Sequence, residues 1–593
     1  MQNISFIHMC GVLAITGINI EPNRYNKKAM LAALSSRGPD GEGELSFPSC
    51  WLGHRRLSII DLATGAQPMA SEALAVTFNG EIYNYLELRG SLERRGHRFA
   101  TNSDTEVILK SYKEYGERCP EHLDGMFAFA LWDNESKKLF LARDRFGKKP
   151  LYYCFDNKTL IVASEIKALL ASGTIKGRLS RSALDNYLQL GYVPPWKSIY
   201  ENIFQLPPAH AAVFANGELK TRKYWALKQS PVICTYEEAK EESRQLLKAA
   251  VKKRLLASDV EVGAFLSGGV DSTIISLIAQ KYLTRPLKTF SLGYGEYINE
   301  LPYAQKAAEE IGSAHHTIQA NENIINGLET IMSYFDEPHA DTADVSHHLI
   351  SQFAASNKIK VALSGDGSDE IFMGYEHHAR HRHISYKSHL IEKIFLNPFQ
   401  GRVRSTRVFR PIDRLLMWGS IQPLNRDIFA DGAYLPNMNA IEKMTAFDLT
   451  TYLPGQLLVK ADRGSMMHGL EVRSPFLDTA LVEFVCNLPV EFRASETNQK
   501  RILKDLLLER MPHDFVNRRK RGFGAPLRKW LREPAMRDYI FQKLGRGALI
   551  RALFIPQVID ILLSYYKQGD KRVFTRLWVL LCLEMWMEAH QTN

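Results

Sequence analysis

The sequence predicts two units of different class: an α+β unit built on packed sheets, then an α/β doubly wound domain with a helical C-terminal part. Three observations carry this. From about residue 10 to 200, short β-type runs alternate with turn signals. Beyond residue 237, helix, strand, glycine loop, helix and strand follow one another, the order that builds a parallel sheet. From about residue 430 the pattern is mostly helical. A chain of 593 residues also exceeds what one core supports, so roughly two to four domains are expected.

In the first unit the predicted strands cover 11–15, 74–78, 127–132, 139–142 and 160–163. Gly38-Pro39-Asp40-Gly41 and Asn79-Gly80 supply turn chemistry between them. One helix is predicted over 104–115. The stretch 191–237 holds Pro194, Pro195, Pro207 and Pro208 and reads as a connector through loops and a few strands. A helix over 237–257 follows. Then come a strand over 260–266, the turn Ser267-Gly268-Gly269, a helix over 271–282, and strands over 289–292 and 360–363. The expected division is 1–9 as a leader or a start placed too early, 10–215 as the first domain, 216–240 as linker and 241–593 as the second domain.

Composition excludes several classes. Hydrophobic residues make up 45% and charged residues 24%, ordinary for a soluble globular protein. A net charge of +10 over this length suits phosphate-bearing or acidic substrates without being a nucleic-acid signature. The seven cysteines, at 10, 50, 119, 154, 234, 486 and 582, form no C-x-x-C pair. An odd, scattered set fits neither a disulfide framework nor a cysteine zinc site, and points to a reducing cytoplasm. The first residues have no basic region and do not form a signal peptide. The apolar run 573–587 is broken by Arg576 and Glu584 and is too short to span a bilayer; a helix buried in the core is expected, and no membrane partner.

The strongest local motif is Val262-Gly-Ala-Phe-Leu-Ser-Gly-Gly-Val-Asp-Ser272. A buried strand ends in Ser267-Gly268-Gly269 and a helix begins near Asp271. Glycines let backbone N–H groups approach an anion, and the helix N-terminus adds partial positive charge. No Gly-Lys-Ser/Thr is present, so this is not a Walker loop. Asp271 at its mouth suits a magnesium ion already held by phosphates. The loop resembles the pyrophosphate-binding loop of ATP pyrophosphatases, which cleave ATP to AMP. A second loop, Leu363-Ser-Gly-Asp-Gly-Ser-Asp-Glu370, again follows a strand and offers acids; Asp369 would be the second magnesium ligand.

Cys10, opening an apolar strand in Met9-Cys-Gly-Val-Leu-Ala-Ile15, would by itself read as core. Its companions change that. Arg37-Gly-Pro-Asp-Gly41, His54-Arg-Arg-Leu-Ser-Ile-Ile-Asp61, Phe78-Asn-Gly-Glu-Ile-Tyr-Asn84, Ser103-Asp104 and Ala142-Arg-Asp-Arg-Phe-Gly147 follow in order. Together they resemble the glutaminase domain of class II, N-terminal-nucleophile glutamine amidotransferases. Joined to 267–272 and 364–370, they resemble glutamine-hydrolysing asparagine synthetases, over nearly the whole chain from Cys10 to about Leu531.

This resemblance implies an αββα sandwich for the first domain and two sites. In the first, Cys10 is the nucleophile and its own α-amine the base. Asn79 and Gly80 serve the oxyanion, Arg56 takes the glutamine α-carboxylate, and Asp104 with Asn79, Gly80 and Glu81 takes the α-ammonium. Nine residues precede Cys10 here, so start of translation at Met9 with its removal, or processing of a short leader, is expected to bare the amine. In the second site, Leu266, Ser267, Gly268, Gly269, Asp271, Ser272, Leu292, Ser364 and Gly365 hold ATP, and Asp271 and Asp369 hold Mg2+. Asp366 and Lys500 serve adenylation and amide formation, with ammonia arriving through an apolar tunnel. Arg463, Arg473 and Lys520-Arg-Gly-Phe-Gly-Ala-Pro526 read as domain architecture and substrate-site walls. A homodimer is also implied.

Other features are set aside. His377 and His381 share a helix face, but neighbouring arginines repel a cation and a third ligand is missing. His315-His316 reads as the end of a helix-to-strand turn. The basic run 518–521 has no aromatic interleaving, so no nucleic-acid partner is expected. The competing readings are an amidotransferase acting on another carboxylate, such as a sugar acid, a plain glutaminase with a regulatory ATP half, and a basic binding protein.

Overall fold

The computed structural model describes residues 10–590 except 18–23, 39, 157, 296–299, 321–323, 377, 379–406, 421–439, 496–497 and 519–524. Met9, Pro39, His377, His381, most of 383–439 and the run 520–524 therefore lie outside the described residues.

The first unit stacks two six-stranded antiparallel sheets. Its strands are β1 (Gly11–Gly17), β2 (Gly41–Phe47), β3 (Cys50–Arg56), β4 (Met69–Ser71), β5 (Leu74–Ile82), β6 (Gly125–Asp133), β7 (Lys138–Arg143), β8 (Tyr152–Phe155), β9 (Thr159–Ala163), β10 (Phe204–Gln205), β11 (His210–Ala215) and β12 (Glu218–Lys223). One sheet runs β10-β8-β9-β1-β3-β2, the other β12-β11-β7-β6-β5-β4. Period-two alternation sorts the side chains. In β6, Ala128, Ala130 and Trp132 enter the core between the sheets, where Val12, Ala14 and Leu52 meet them. Phe127, Phe129 and Leu131 point the other way, onto the helices Tyr85–Arg94 and Asp104–Tyr115. In β1, Leu13 and Ile15 pack outward against the helices Lys27–Ala33, Ile166–Leu170 and Arg181–Leu190. Each fully buried Leu or Phe of this kind contributes about 1.5–3 kcal/mol. The result is the four-layer αββα sandwich.

β12 pairs with β11 from Ala215 to His210, so the second sheet continues to Lys223, inside the stretch 216–240 read as linker. The helix Tyr236–Leu256 occupies the end of that stretch. It starts on a capping box in which Thr235 and Glu238 satisfy each other's backbone N–H groups.

The second unit has a five-stranded parallel sheet, β13 (Val262–Phe265), β14 (Lys288–Gly293), β15 (Ala314–Gln319), β16 (Val361–Leu363) and β17 (Glu471–Arg473), in the order β15-β14-β13-β16-β17. The chain moves outward from β13 in one direction through β14 and β15, then returns to its other side with β16. That reversal makes a crevice beyond the carboxyl ends of β13 and β16, the place where doubly wound sheets bind ligands.

His315 and His316 lie inside β15, paired with Thr289 and Phe290 of β14, rather than in a turn before it. The stretch Ala-His-His-Thr-Ile-Gln lacks clean alternation, and side-chain partners hold it instead: His315 Nδ1 lies 2.9 Å from Thr289 Oγ1, and His316 stacks on Phe290. The C-terminal helix Phe574–Ala589 is buried on nearly every side, as its apolar run predicts. Among the described residues no helix is long and apolar enough to cross a membrane.

Candidate active sites

Cys10 precedes β1, and its sulfur lies against the Leu57 backbone. Sγ accepts from the Leu57 N–H at 3.4 Å and donates to the Leu57 carbonyl at 3.6 Å. Burial pushes the thiol up to about 12. It is therefore protonated and needs a base before it can attack a carbonyl. Its charged neighbours are Glu81, Arg56 and Glu471.

Asn79 and Gly80 lie in β5, opposite Ala128 and Phe127 of β6. The Asn79 side chain is fully buried, and neither its Nδ2 nor its Oδ1 has a partner among the described residues. Such an orphaned amide costs about 1–3 kcal/mol, a cost that a ligand oxygen would relieve. Gly80 has φ +138°, and a Cβ there would lie 1.9 Å from the Met126 carbonyl oxygen. No side chain fits, so only glycine leaves the backbone bare at this point.

Asp104 is the first residue of its helix, behind the Ser103 cap, and accepts from the Ile82 N–H at 3.0 Å. Burial raises its carboxyl to about 7. Glu81 is buried too; burial first, then Glu471, pushes its carboxyl well up. Arg56 is fixed by the carbonyls of Asp61 at 2.7 Å and of Ile60 and Leu62 at 3.4 Å. The predicted residues of this site thus gather near one end of β5, with an unpaired buried amide and two acids.

In the crevice of the second unit, Ser267-Gly268-Gly269 leads from β13 into the helix Val270–Gln280. Gly268 has φ +67°, and a Cβ would sit 2.5 Å from the Tyr303 backbone. Ser272 Oγ accepts from the Ser267 N–H at 3.2 Å, which closes the turn on itself. Leu266 donates its N–H to the Phe290 carbonyl at 2.9 Å, and its own carbonyl accepts from the Ser291 hydroxyl. Leu292, at the end of β14, is buried. The loop after β16 faces this turn: Ser368 donates to Asp271 at 2.6 Å, and a Cβ on Gly365 would meet Asp271 Cβ at 2.9 Å. Ser364 donates to Asp366 at 2.7 Å. Lys500 Nζ lies 2.5 Å from Asp271 and 2.7 Å from Asp369. The two carboxylates predicted to hold a metal therefore converge on one cationic atom.

The two sites touch through buried charge that sequence reading did not resolve. Arg473, at the end of β17, reaches Glu471 at 2.7 Å and Glu81 of the first unit at 3.4 Å. Its carbonyl accepts from the Ser364 N–H at 2.9 Å. Arg37 pairs with Glu165 at 2.9 Å and Asp462 at 2.8 Å; Arg463 pairs with Glu165 and, at 3.1 Å, with Asp336. A cavity lies along this boundary, lined by Met126, Lys148, Ala461, Asp462, Val472 and Ser474. Its lining is mixed rather than apolar, although burial brings the Lys148 ammonium down to about 7.

These features define a class: an N-terminal-nucleophile amidohydrolase domain joined to a nucleotide-activating α/β domain. Comparison with known proteins agrees in both halves. Residues 9–225 match the glutamine amidotransferase domain model and residues 242–588 the asparagine synthase model. The chain is 30% identical over 598 residues to asparagine synthetase [glutamine-hydrolyzing] 1 of Bacillus subtilis, covering 94% of this chain and 93% of that protein. It is 33% identical over 543 residues to asparagine synthetase [glutamine-hydrolyzing] 3 of the same organism, covering 86% of each. The chain belongs to the glutamine-hydrolysing asparagine synthetase family.

Proposed function

We propose that this chain is an ATP-dependent carbon–nitrogen ligase that makes asparagine, with glutamine as amide donor. Glutamine and water give glutamate and ammonia. ATP adenylates the side-chain carboxylate of aspartate and releases pyrophosphate, and ammonia displaces AMP. The observation that carries the reading is the coexistence of both sites in one chain matched end to end by asparagine synthetases. Those relatives favour aspartate over a sugar acid as acceptor.

Cys10, freed at its amine, attacks the glutamine amide. Asn79 Nδ2 and the Gly80 N–H face the oxyanion, where aimed donors stabilise developing charge. Arg56 binds the α-carboxylate, and Asp104 with Glu81 the α-ammonium. In the second site Leu266, Ser267, Gly268, Gly269, Ser272, Leu292, Ser364 and Gly365 bind ATP. Asp366 and Lys500 attend the acyl-adenylate. Asp271 and Asp369 fit a hard divalent cation, since they already share one cation in Lys500. Mg2+ bound there would neutralise phosphate charge and favour pyrophosphate as leaving group. Seven unpaired cysteines suit a cytoplasmic setting, and a homodimer is part of the same proposal, with sedimentation as its test.

The test uses protein whose N-terminus is Cys10, given ATP, Mg2+, glutamine and aspartate. Asparagine and AMP are expected together, and Cys10→Ala is expected to need added ammonia. Glutamate without asparagine or AMP would refute aspartate as acceptor.

A further inference from the structure

Nitrogen attacks an acyl carbon only with its lone pair free, yet ammonia in neutral water is mostly protonated. A chain that releases the nitrogen at one site and uses it at another must keep it neutral on the way.

The cavity at the boundary has contacts at both ends. Met126, on its wall, lies opposite Glu81 in the β5–β6 register, with its carbonyl against Gly80. Ser474, also on the wall, holds its Oγ 3.3 Å from Ser364 Oγ. The volume is about 20 Å3, room for one molecule the size of water or ammonia. Three further polar side chains of the wall are engaged elsewhere. Asp462 takes the Arg37 guanidinium at 2.8 and 3.0 Å, Lys149 pairs with Glu471 at 3.5 Å, and Ser465 donates to the Ala461 carbonyl at 2.6 Å.

Lys148 differs. It is 7% exposed, and its Nζ makes one hydrogen bond among the described residues, to the Leu477 carbonyl at 3.0 Å. A lysine ammonium carries three N–H groups, so this bond leaves two over. Leu477 in turn packs on Gly367, which sets the amine beside the loop proposed for adenylation. The acids around Lys148 have other partners. Asp124 bonds Lys253 at 2.8 Å, and Asp478 is shared by Arg254 at 3.1 Å and Lys253 at 3.6 Å. Asp144 is taken by the backbone N–H groups of Phe146, Lys148 and Lys149, each at 3.0 Å. A lysine buried without a carboxylate of its own is rare, and ion pairing does not account for it.

We propose that Lys148 keeps the transferred nitrogen neutral by taking up any proton that nitrogen gains in the cavity between the two sites. The inference rests on the reading of the chain as a two-site ligase. An N–H bond of ammonium breaks, its electron pair stays on the nitrogen, and the proton bonds to the Nζ lone pair. Ammonia moves on, and the lysine ammonium, held by the Leu477 carbonyl, returns its proton to water. Burial first, then Arg254, brings the amine down to about 7, so its accepting form is populated at neutral pH. The same burial and the same guanidinium act on a nitrogen held beside it, and an alkylamine is a stronger base than ammonia. Two positive charges repel strongly in so small a space. A single proton shared by the two nitrogens therefore resides on the lysine.

The experiment uses Lys148→Met and Lys148→Gln in the full enzyme beginning at Cys10, supplied with glutamine, aspartate, ATP and Mg2+. Asparagine formed per glutamate released is measured at about pH 6.5 and about pH 9. Glutamate release and aspartate-dependent exchange of pyrophosphate into ATP, measured alongside, report each site by itself. Release and exchange are expected to stay within about twofold of the parent, while the ratio falls about tenfold at the acid pH and recovers at the alkaline one, where far more ammonia stays unprotonated unaided. A ratio equal to the parent's at both pH values in both variants overturns the proposal. So does an equal fall at both pH values, or loss of release or exchange in both variants, since either makes Lys148 a packing residue. Absence of glutamate release and of exchange in the unaltered enzyme would instead overturn the underlying reading.

Discussion

Asn79→Ala separates catalysis from stability in a way that few active-site substitutions do. In most buried sites, truncating an amide strands its partners. Here the amide has none among the described residues: both Nδ2 and Oδ1 are buried and unpaired. Removing it therefore breaks no hydrogen bond and lifts a desolvation cost of about 1–3 kcal/mol. Against this stands the small void left by the shortened side chain, at about 24 cal/mol per Å3. The two terms nearly offset, so the unfolding midpoint should stay close to that of the parent. Loss of one oxyanion donor costs about 10²–10³ in kcat, or about 2.7–4 kcal/mol of barrier. The assays are glutamate release from glutamine, asparagine formation from ammonia, and urea unfolding, on protein beginning at Cys10. Glutaminase should collapse while ammonia-dependent synthesis and the midpoint hold. Glutaminase within a few-fold of the parent would refute the oxyanion role. An equal loss of both activities with a lowered midpoint would show that Asn79 is scaffold.

Three further outcomes are expected. Asp104, raised to about 7 by burial, must be ionised to hold an ammonium, so the KM for glutamine should rise as pH falls below about 7. The linkage sign is opposite for folding: the native state holds this proton more tightly, so the stability it contributes is present at acid pH and lost as pH climbs from the ordinary carboxylate range through 7, a slope that Asp104→Asn should flatten in urea titrations. Arg473→Met leaves Glu81 and Glu471 buried without their shared guanidinium, and should cost about 3–5 kcal/mol in denaturant unfolding and weaken glutamine use. Lys500→Met leaves Asp271 and Asp369 facing each other without their cation, and should create Mn2+ binding in the absence of ATP, read by paramagnetic resonance and abolished by adding Asp271→Asn.

What sequence made legible, and what it did not, follows one physical division. The strand–turn–helix at Ser267 is encoded locally: a buried run, two glycines and an acid fix the fold within a dozen residues. The helix 104–115 is equally local, with Ser103 capping its first turn. β2 and β3 escaped notice because Gly41–Phe47 alternates glycine, glutamate and serine at a solvent-facing edge, while Cys50–Arg56 runs buried and then basic. Their pairing, not their composition, makes them strands. β12, Glu218–Lys223, is mostly exposed and charged, so it reads as linker until β11 is placed beside it. In the sites, motif order put Cys10, Asn79 and Asp271 forward as candidates. Lys500 bridging two acids was not legible, since the residues stand far apart in the chain.

The boundary between the two units carries buried charge alongside its apolar packing, and the charge has a functional reason. Arg37, Glu165, Asp462, Arg463, Asp336, Lys149, Glu471, Arg473 and Glu81 are all buried there or nearly so. Apolar residues of the same volume would often hold two domains together as firmly, because desolvation consumes much of what an ion pair gains. What apolar contact does not provide is register. A Leu slides against its neighbour at little cost, whereas an arginine shared by two carboxylates in different domains has essentially one position. Arg473 is fixed by Glu471 and by the carbonyls of Arg254 and Ala257 within its own unit, yet its remaining nitrogen meets Glu81 beside the proposed glutamine site. Its backbone meanwhile supports Ser364, the start of the loop proposed for adenylation. A displacement of one site relative to the other thus costs a buried charge its partner. For an enzyme that must pass a small volatile intermediate between two centres, constant alignment across that boundary matters more than the last increment of stability, and a charged seam supplies it.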